Sequence, residues 1–140
     1  MQIAKPRDII TSEAALKAVQ AAVAQGAAIG KAVVAAVTDP SGDLLALLRA
    51  DGAFTASVGI ARDKAYTAAV FGLPSDVLGK ALDANPILRE GIALRPNVVL
   101  FGGGLPIVTG GAPIGAIGVS GGSEEDDRLC AAAGISALGL

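Results

Sequence analysis

The chain has 140 residues, 52% of them hydrophobic and 17% charged, with a net charge of −2 at pH 7. This length predicts one domain over residues 1–140, and the weak acidic charge excludes the basic surface that nucleic-acid binding needs. The chain contains no histidine, which excludes Cys/His zinc sites, a Ser-His-Asp triad and His-ligated haem within it.

The first half of the chain predicts a helix, a hairpin and a second, longer helix. A helix is indicated from Glu13 to Gln25, because Thr11 or Ser12 can cap its start and Gly26 follows its apolar stripe. The turn Asp39–Gly42 reads Asp-Pro-Ser-Gly, which is typical of a type I turn, and it joins strands at Lys31–Thr38 and Asp43–Arg49. A helix from Thr55 to Phe71 follows, and a glycine and a proline end it.

The second half predicts two more helices and three strands. Ser75 caps a short helix, Asp76–Leu82, and the stretch Asn85–Asn97, with its two prolines, is predicted to be mostly loop. Ser123 caps a last helix that runs to about Ala133. The strands lie between these helices, at Val98–Phe101, Leu105–Thr109 and Pro113–Ser120. This order predicts an α+β domain with a five-stranded, mostly antiparallel sheet.

Glycine is concentrated in Phe101–Gly122, which holds nine of the 19 glycines. Glycine is disfavoured inside strands, so the excess indicates backbones packed closely against each other or against a ligand. The first turn, Gly102–Leu105, could expose an anion nest of N–H groups or could be a tight bend between strands. No Lys-Ser/Thr follows, which excludes a Walker loop. At the second glycine cluster, the acidic helix start Glu124–Asp127 would repel phosphate, so no phosphate site is predicted there.

Composition also predicts the compartment and the assembly. No apolar run of about 18 residues is free of glycine and polar breaks, so no membrane span is predicted. The N-terminus lacks the apolar region of a signal peptide, and the single cysteine, Cys130, excludes an internal disulfide, so a cytoplasmic protein is expected. Small monomers rarely expose large apolar patches, so the apolar surplus predicts a homo-oligomer.

Three segments carry a family resemblance: AVTDPSGDLLALLRADGA (Ala36–Ala53), SVGIARDKAYTAAVFG (Ser57–Gly72) and VLFGGGLPIVTGGAPIGAIGVSGGSEEDD (Val99–Asp127). They resemble the GlcG/HbpS-like family, which includes the C-terminal domain of PduO-type corrinoid adenosyltransferases. The resemblance implies a profilin-like three-layer α/β/α domain with a five-stranded antiparallel sheet, assembled into tetramers, hexamers or octamers. It also implies a place beside genes for glycolate use, diol use or aromatic-compound breakdown. Some members bind, sense or degrade haem.

Two candidate ligand contacts lie outside the glycine turn. Arg49 could bind a carboxylate through its guanidinium, and Asp51 beside Gly52 could orient that ligand or act as a base. Alternatively, Asp51 and Gly52 form only a turn before the next helix. The family motif has a lysine at the position of Lys64, so the resemblance implies that Lys64 faces the loop region; a solvated or interfacial ion pair is the alternative.

In the glycine turn, the predicted ligand contacts are Phe101, Gly103, Gly104 and Leu105. If the turn is a nest, their backbone N–H groups would bind an anion. If it is a tight bend, these residues would only connect two strands. Glu124 and Asp127, one turn apart in the last helix, could bind a hard cation, but a solvated helix start is the expected interpretation. No metal site is therefore predicted.

These observations favour a homo-oligomer that binds a small, anionic metabolite as an accessory protein of a catabolic pathway and needs no cofactor. One alternative is a small cofactor-free enzyme, an isomerase, tautomerase or lyase, in which Lys64 or Asp51 transfers protons. Another is a haem- or tetrapyrrole-binding protein that uses stacking and propionate–Arg contacts. A third is a structural or regulatory oligomer. The side chains with haem-ligand chemistry are Tyr66, Cys130 and Met1.

Overall fold

The structure is a computed structural model that describes all 140 residues. It contains five helices and four strands. In chain order these are α1 (Ser12–Ala28), β1 (Val34–Thr38), β2 (Leu44–Arg49), α2 (Ala56–Phe71), α3 (Ser75–Ala81), α4 (Pro86–Ala93), β3 (Gly104–Thr109), β4 (Ala112–Ser120) and α5 (Glu124–Ser136). The predicted helices are all present, with boundaries shifted by a few residues, and none of the helices is long and apolar enough to span a membrane. The prediction that Ser75 caps the third helix is wrong: Ser75 is the first residue of α3, and its side chain bonds the segment Phe101–Gly104 instead of the helix start.

The sheet has four strands in the order β2-β1-β4-β3, and every neighbouring pair is antiparallel. The prediction of a fifth strand at Val98–Phe101 is wrong. This segment lies against α2 and α3, where side chains satisfy its backbone: Val99 N–H donates to Thr67 Oγ1 (2.9 Å), and the Phe101 carbonyl accepts from Ser75 Oγ (2.6 Å). With these groups already paired, the segment does not extend the ladder beside β3.

The prediction of a loop at Asn85–Asn97 is also wrong, because α4 occupies most of that stretch. The Asn85 side chain caps α4 by accepting a hydrogen bond from the N–H of Leu88 (3.1 Å). Pro86 then occupies the first turn, where a missing N–H costs nothing and the fixed φ favours a helix. Pro86, one of the two prolines on which the loop prediction rested, therefore starts the helix.

Helices cover both faces of the sheet, as the burial along β1 shows. Ala35 and Val37 pack with α1 and α5 in one buried cluster, whereas Val34 and Ala36 pack with α2 in another. Successive residues of a strand point to opposite faces, so the fully buried pattern of β1 requires a layer of helix on each side.

Gly118 of β4 brings α2 directly onto the sheet. A Cβ at this position would collide with the carbonyl oxygen of Ala61 and the nitrogen of Ala65, both on the α2 backbone. It would also come within 2.9 Å of the Cβ of Lys64. This close approach confirms the backbone packing that the glycine excess predicted, and it sets where the Lys64 side chain enters the interior.

Candidate functional site

The central feature of the predicted site is a buried ion pair between α2 and α5. Lys64 Nζ lies 2.9 Å from Asp127 Oδ2, and only 2% and 4% of the two side chains are exposed. Nζ also donates to the carbonyl oxygen of Val119 in β4 (2.9 Å), while Asp127 Oδ1 accepts from the N–H of Gly122 (2.9 Å). Buried charges are tolerated only when paired and hydrogen-bonded in this way. The pair therefore ties α2, β4 and α5 together.

The glycine turn encloses the Lys64 ammonium from the remaining side. The Phe101 ring centroid lies 5.2 Å from Nζ, within the range of a cation–π interaction. Gly103 has φ +126°, and a Cβ there would lie 2.7 Å from Nζ, so only glycine allows this approach. Lys64 thus forms an ion pair, as one of the two interpretations expected, but inside the protein rather than at its surface.

Protein groups already bind two N–H groups of the turn. The Gly102 N–H donates to Glu124 Oε1 (2.6 Å), and the Gly104 N–H donates to Ser75 Oγ (3.0 Å). Ser75 donates in turn to the Phe101 carbonyl (2.6 Å). Because these two N–H groups are already hydrogen-bonded within the protein, the contacts favour a tight bend over an anion nest. The Glu124 and Asp127 carboxylates, considered above for a cation, each have a separate protein partner.

The Arg49–Ala53 loop lies at the opposite edge of the sheet. The Arg49 guanidinium donates to the carbonyl oxygen of Ala53 (2.8 Å from Nη2) and to Thr55 Oγ1 (3.2 Å), so it closes its own loop. Asp51 and Gly52 are exposed, and Gly52 has φ +82°, as a turn requires. Three strand spacings, about 14 Å, separate β2 from β3.

Leu105 lies on the other face of the sheet from Lys64. It pairs with Ile117 and packs against the cluster under α1 and α5. The structure therefore brings Lys64, Phe101, Gly103 and Gly104 together, and it leaves Arg49, Asp51, Gly52 and Leu105 apart from them.

A groove next to the turn was missed by the sequence analysis. It has a volume of about 440 Å³ and lies between α4 and the segment Val98–Phe101. Arg89 and Glu90 of α4 stand beside apolar residues of both walls, and Phe101 both lines the groove and covers Lys64. Asn85 followed by Pro86 is a typical helix start, and recognising it could have predicted α4 and with it one wall of the groove.

Comparison with known proteins gives the family. Residues 10–136 match the family model described as haem degrading protein HbpS-like. The chain belongs to the HbpS-like family. It is 41% identical, over 87% of either chain, to an uncharacterized 15.0 kDa protein from the dhaT-dhaS intergenic region of Citrobacter freundii.

Two solved structures of relatives have the same fold. A double mutant of Streptomyces reticuli HbpS gives a TM-score of 0.89 at 36% identity, covering 98% of this chain and 92% of that one. A PduOC–heme complex gives 0.83 at 28% identity, covering 92% and 94%. The chain spans 36% of the length of the corrinoid adenosyltransferase PduO of Salmonella typhimurium, to which it is 31% identical.

The haem-ligand candidates of this HbpS-like chain differ in their fit to an iron atom. Cys130 is fully buried, and burial together with the nearby Asp127 and Asp126 carboxylates raises the pKa of its thiol to about 11. Cys130 therefore stays a thiol at neutral pH and does not fit a thiolate-ligated haem. Met1 is fully exposed at the chain start, whereas Tyr66 is only partly buried on α2 and lines a cavity.

Proposed function

We propose that this protein binds a small organic anion that also carries a hydroxyl group, in the groove between α4 and Val98–Phe101. The observation that carries the proposal is the presence of Arg89 and Glu90 in one groove beside an apolar wall. A pocket of about 300–1,000 Å³ that combines apolar walls with a few polar groups is the usual form of a small-molecule site. Such an anion is the kind of ligand expected of an accessory protein in organic-acid or aromatic breakdown.

Charge and geometry assign the two polar roles. The Arg89 guanidinium can bind a carboxylate through two parallel hydrogen bonds. The ion pair that Arg89 forms within the protein is weak, because Asp83 Oδ1 lies 3.5 Å from Nε and 65% of the Asp83 side chain is exposed. Glu90 can accept a hydrogen bond from a hydroxyl group on the same ligand.

In this proposal, the buried residues support the groove and do not touch the ligand. Lys64 holds the Phe101 ring from behind, and Gly103 and Gly104 allow the turn to come close enough for that contact. Proton transfer by Lys64 finds less support, since Asp127, Val119 and the Phe101 ring surround its ammonium.

The test is a titration with mandelate, which has a carboxylate, a hydroxyl and an apolar ring. Calorimetry should show saturable binding, and the midpoint of thermal unfolding should rise with mandelate concentration. Arg89→Gln should weaken binding roughly ten-fold or more, as loss of a charged hydrogen-bonded contact does. Arg62→Gln, on α2 and outside the groove, is the matched control and should bind as the unchanged protein does. Unchanged affinity in Arg89→Gln, or no binding at all, would refute the proposal.

A second candidate function is haem binding, which the complex of the PduOC relative with heme favours. Here Tyr66 is the side chain that could ligate the iron, and arginines could bind the propionates. Haem titrated into the protein should give a saturable shift of the Soret band, and Tyr66→Phe should abolish that shift. A linear, unsaturable absorbance change would argue against haem.

Assembly and location stay predictions. Large apolar side chains are exposed at Ile87 (84%) and Leu94 (79%), which supports homo-oligomerisation. The catabolic role and the cytoplasmic location are proposed on the family resemblance and the sequence alone.

A further inference from the structure

A second cavity, of about 320 Å³, lies against a different face of α4. The second half of α2 contributes Tyr66, Val70 and Phe71 to its wall. The end of α4 and the turn after it contribute Ile92, Arg95 and Pro96. It adjoins the groove proposed above at Val98, which lines both, and it shares no other lining residue with that groove.

Both walls of the cavity are held in place by the fold. The Tyr66 ring packs against Gly42 of the β1–β2 turn, where φ is +87° and the ring fills the space that a Cβ would need. The other wall is held from α2 by Thr67, whose Oγ1 accepts from the Val99 N–H (2.9 Å) and lies 3.2 Å from the Asn97 carbonyl oxygen. The turn that carries Arg95 is thereby fixed to α2, close to Tyr66.

The polar residues that line the cavity are Tyr66, Arg95 and Asn97, and Arg95 carries its only charge. Arg95 forms no ion pair, and none of the residues that line the cavity is Asp or Glu. The Tyr66 hydroxyl has no hydrogen-bond partner in the chain and can donate to an oxygen. Apart from Asn97, the rest of the wall is apolar, with Val70 41% and Phe71 39% exposed.

We propose that this cavity is a binding site for a small monocarboxylic acid with a compact apolar body. The Arg95 guanidinium binds the carboxylate, the Tyr66 hydroxyl donates to it, and Val70, Phe71 and Ile92 contact the hydrocarbon part. The volume is at the lower end for ligand pockets and suits a single ring. The absence of a lining carboxylate sets this site apart from the groove, where Glu90 selects for a hydroxyl.

Tyrosine fluorescence gives a direct readout, because Tyr66 is the single tyrosine and the chain has no tryptophan. Titration with cyclohexanecarboxylate, which does not absorb at the excitation wavelength, should change this emission saturably. Cyclohexanecarboxamide, the neutral analogue, should bind at least ten-fold more weakly, since it lacks the charge that Arg95 recognises.

Variants separate this site from the groove. Arg95→Gln should weaken cyclohexanecarboxylate binding ten-fold or more, whereas Arg89→Gln should leave it unchanged. Arg95 is exposed, so the variant should fold, and an unchanged circular dichroism spectrum checks this. Equal affinity for the acid and the amide would overturn the proposal, as would full binding by Arg95→Gln. If mandelate fails to bind in the groove but this titration succeeds, only the proposed function is lost.

Discussion

Lys64→Met should lower the free energy of unfolding by about 3–5 kcal/mol, the usual cost of leaving one member of a buried ion pair without its partner. In the variant, the Asp127 carboxylate would remain buried with only the Gly122 N–H to stabilise its charge. The Val119 carbonyl would also lose its donor. Urea denaturation followed by circular dichroism measures the change as a lower midpoint at constant slope.

The double variant Lys64→Met/Asp127→Asn is the matched control for this prediction. Asparagine keeps an oxygen that can accept from Gly122 but removes the buried charge, so the double variant should be more stable than Lys64→Met alone. The coupling energy from the full double-mutant cycle then isolates the ion pair. If Lys64→Met costs less than about 1 kcal/mol, the pair is not the buried link between α2 and α5 that the geometry indicates.

The Lys64–Asp127 ion pair could not be predicted from the sequence. Lys64 and Asp127 are 63 positions apart, and each has a local explanation that hides the other. Asp127 lies in the acidic first turn of α5, where a carboxylate suits the helix dipole, and Lys64 directly follows Arg62 and Asp63 in α2. Only the packing of α2 over β4 brings the two side chains together.

The fold was predictable where local chemistry and long-range packing agree. The turn Asp39–Gly42, the helix caps at Thr11 and Ser123 and the apolar β1 carry strong local signals, and all of them are present. Val98–Phe101 is β-prone in composition, but its N–H and carbonyl groups pair with Thr67 and Ser75 instead of a strand. Which partner a backbone group takes is decided by tertiary contacts, and those are not visible in the segment itself.

The candidate site was predictable in part for the same reason. The glycine excess correctly indicated close approach of backbones, and the turn at Gly103 does meet Lys64. The grooves along α4 could not be anticipated once that stretch was interpreted as a loop. The position of Arg49 relative to the turn depends on strand order, which places β2 and β3 at opposite edges of the sheet.

Gly118→Ala is expected to destabilise the protein by about 1–3 kcal/mol or more, as overpacking of a rigid contact does. The added methyl group would meet the α2 backbone at Ala61 and Ala65, and backbone cannot rotate away as a flexible side chain can. Relief would require α2 to lift from β4, which would also stretch the contacts of Lys64 with Val119 and Asp127. Loss of stability in urea denaturation is the measurement.

Gly59→Ala provides the comparison on α2 itself. A Cβ at Gly59 meets nothing within 4 Å, and the residue lies inside the helix. Alanine there should raise the free energy of unfolding by up to about 1 kcal/mol, because it reduces the entropy of the unfolded chain and favours the helix. Opposite signs for the two glycine-to-alanine changes would show that Gly118 is required by the contact between α2 and β4. A neutral or stabilising Gly118→Ala would mean that α2 lies farther from the sheet than the structure has it, and the enclosure of Lys64 would then fail with it.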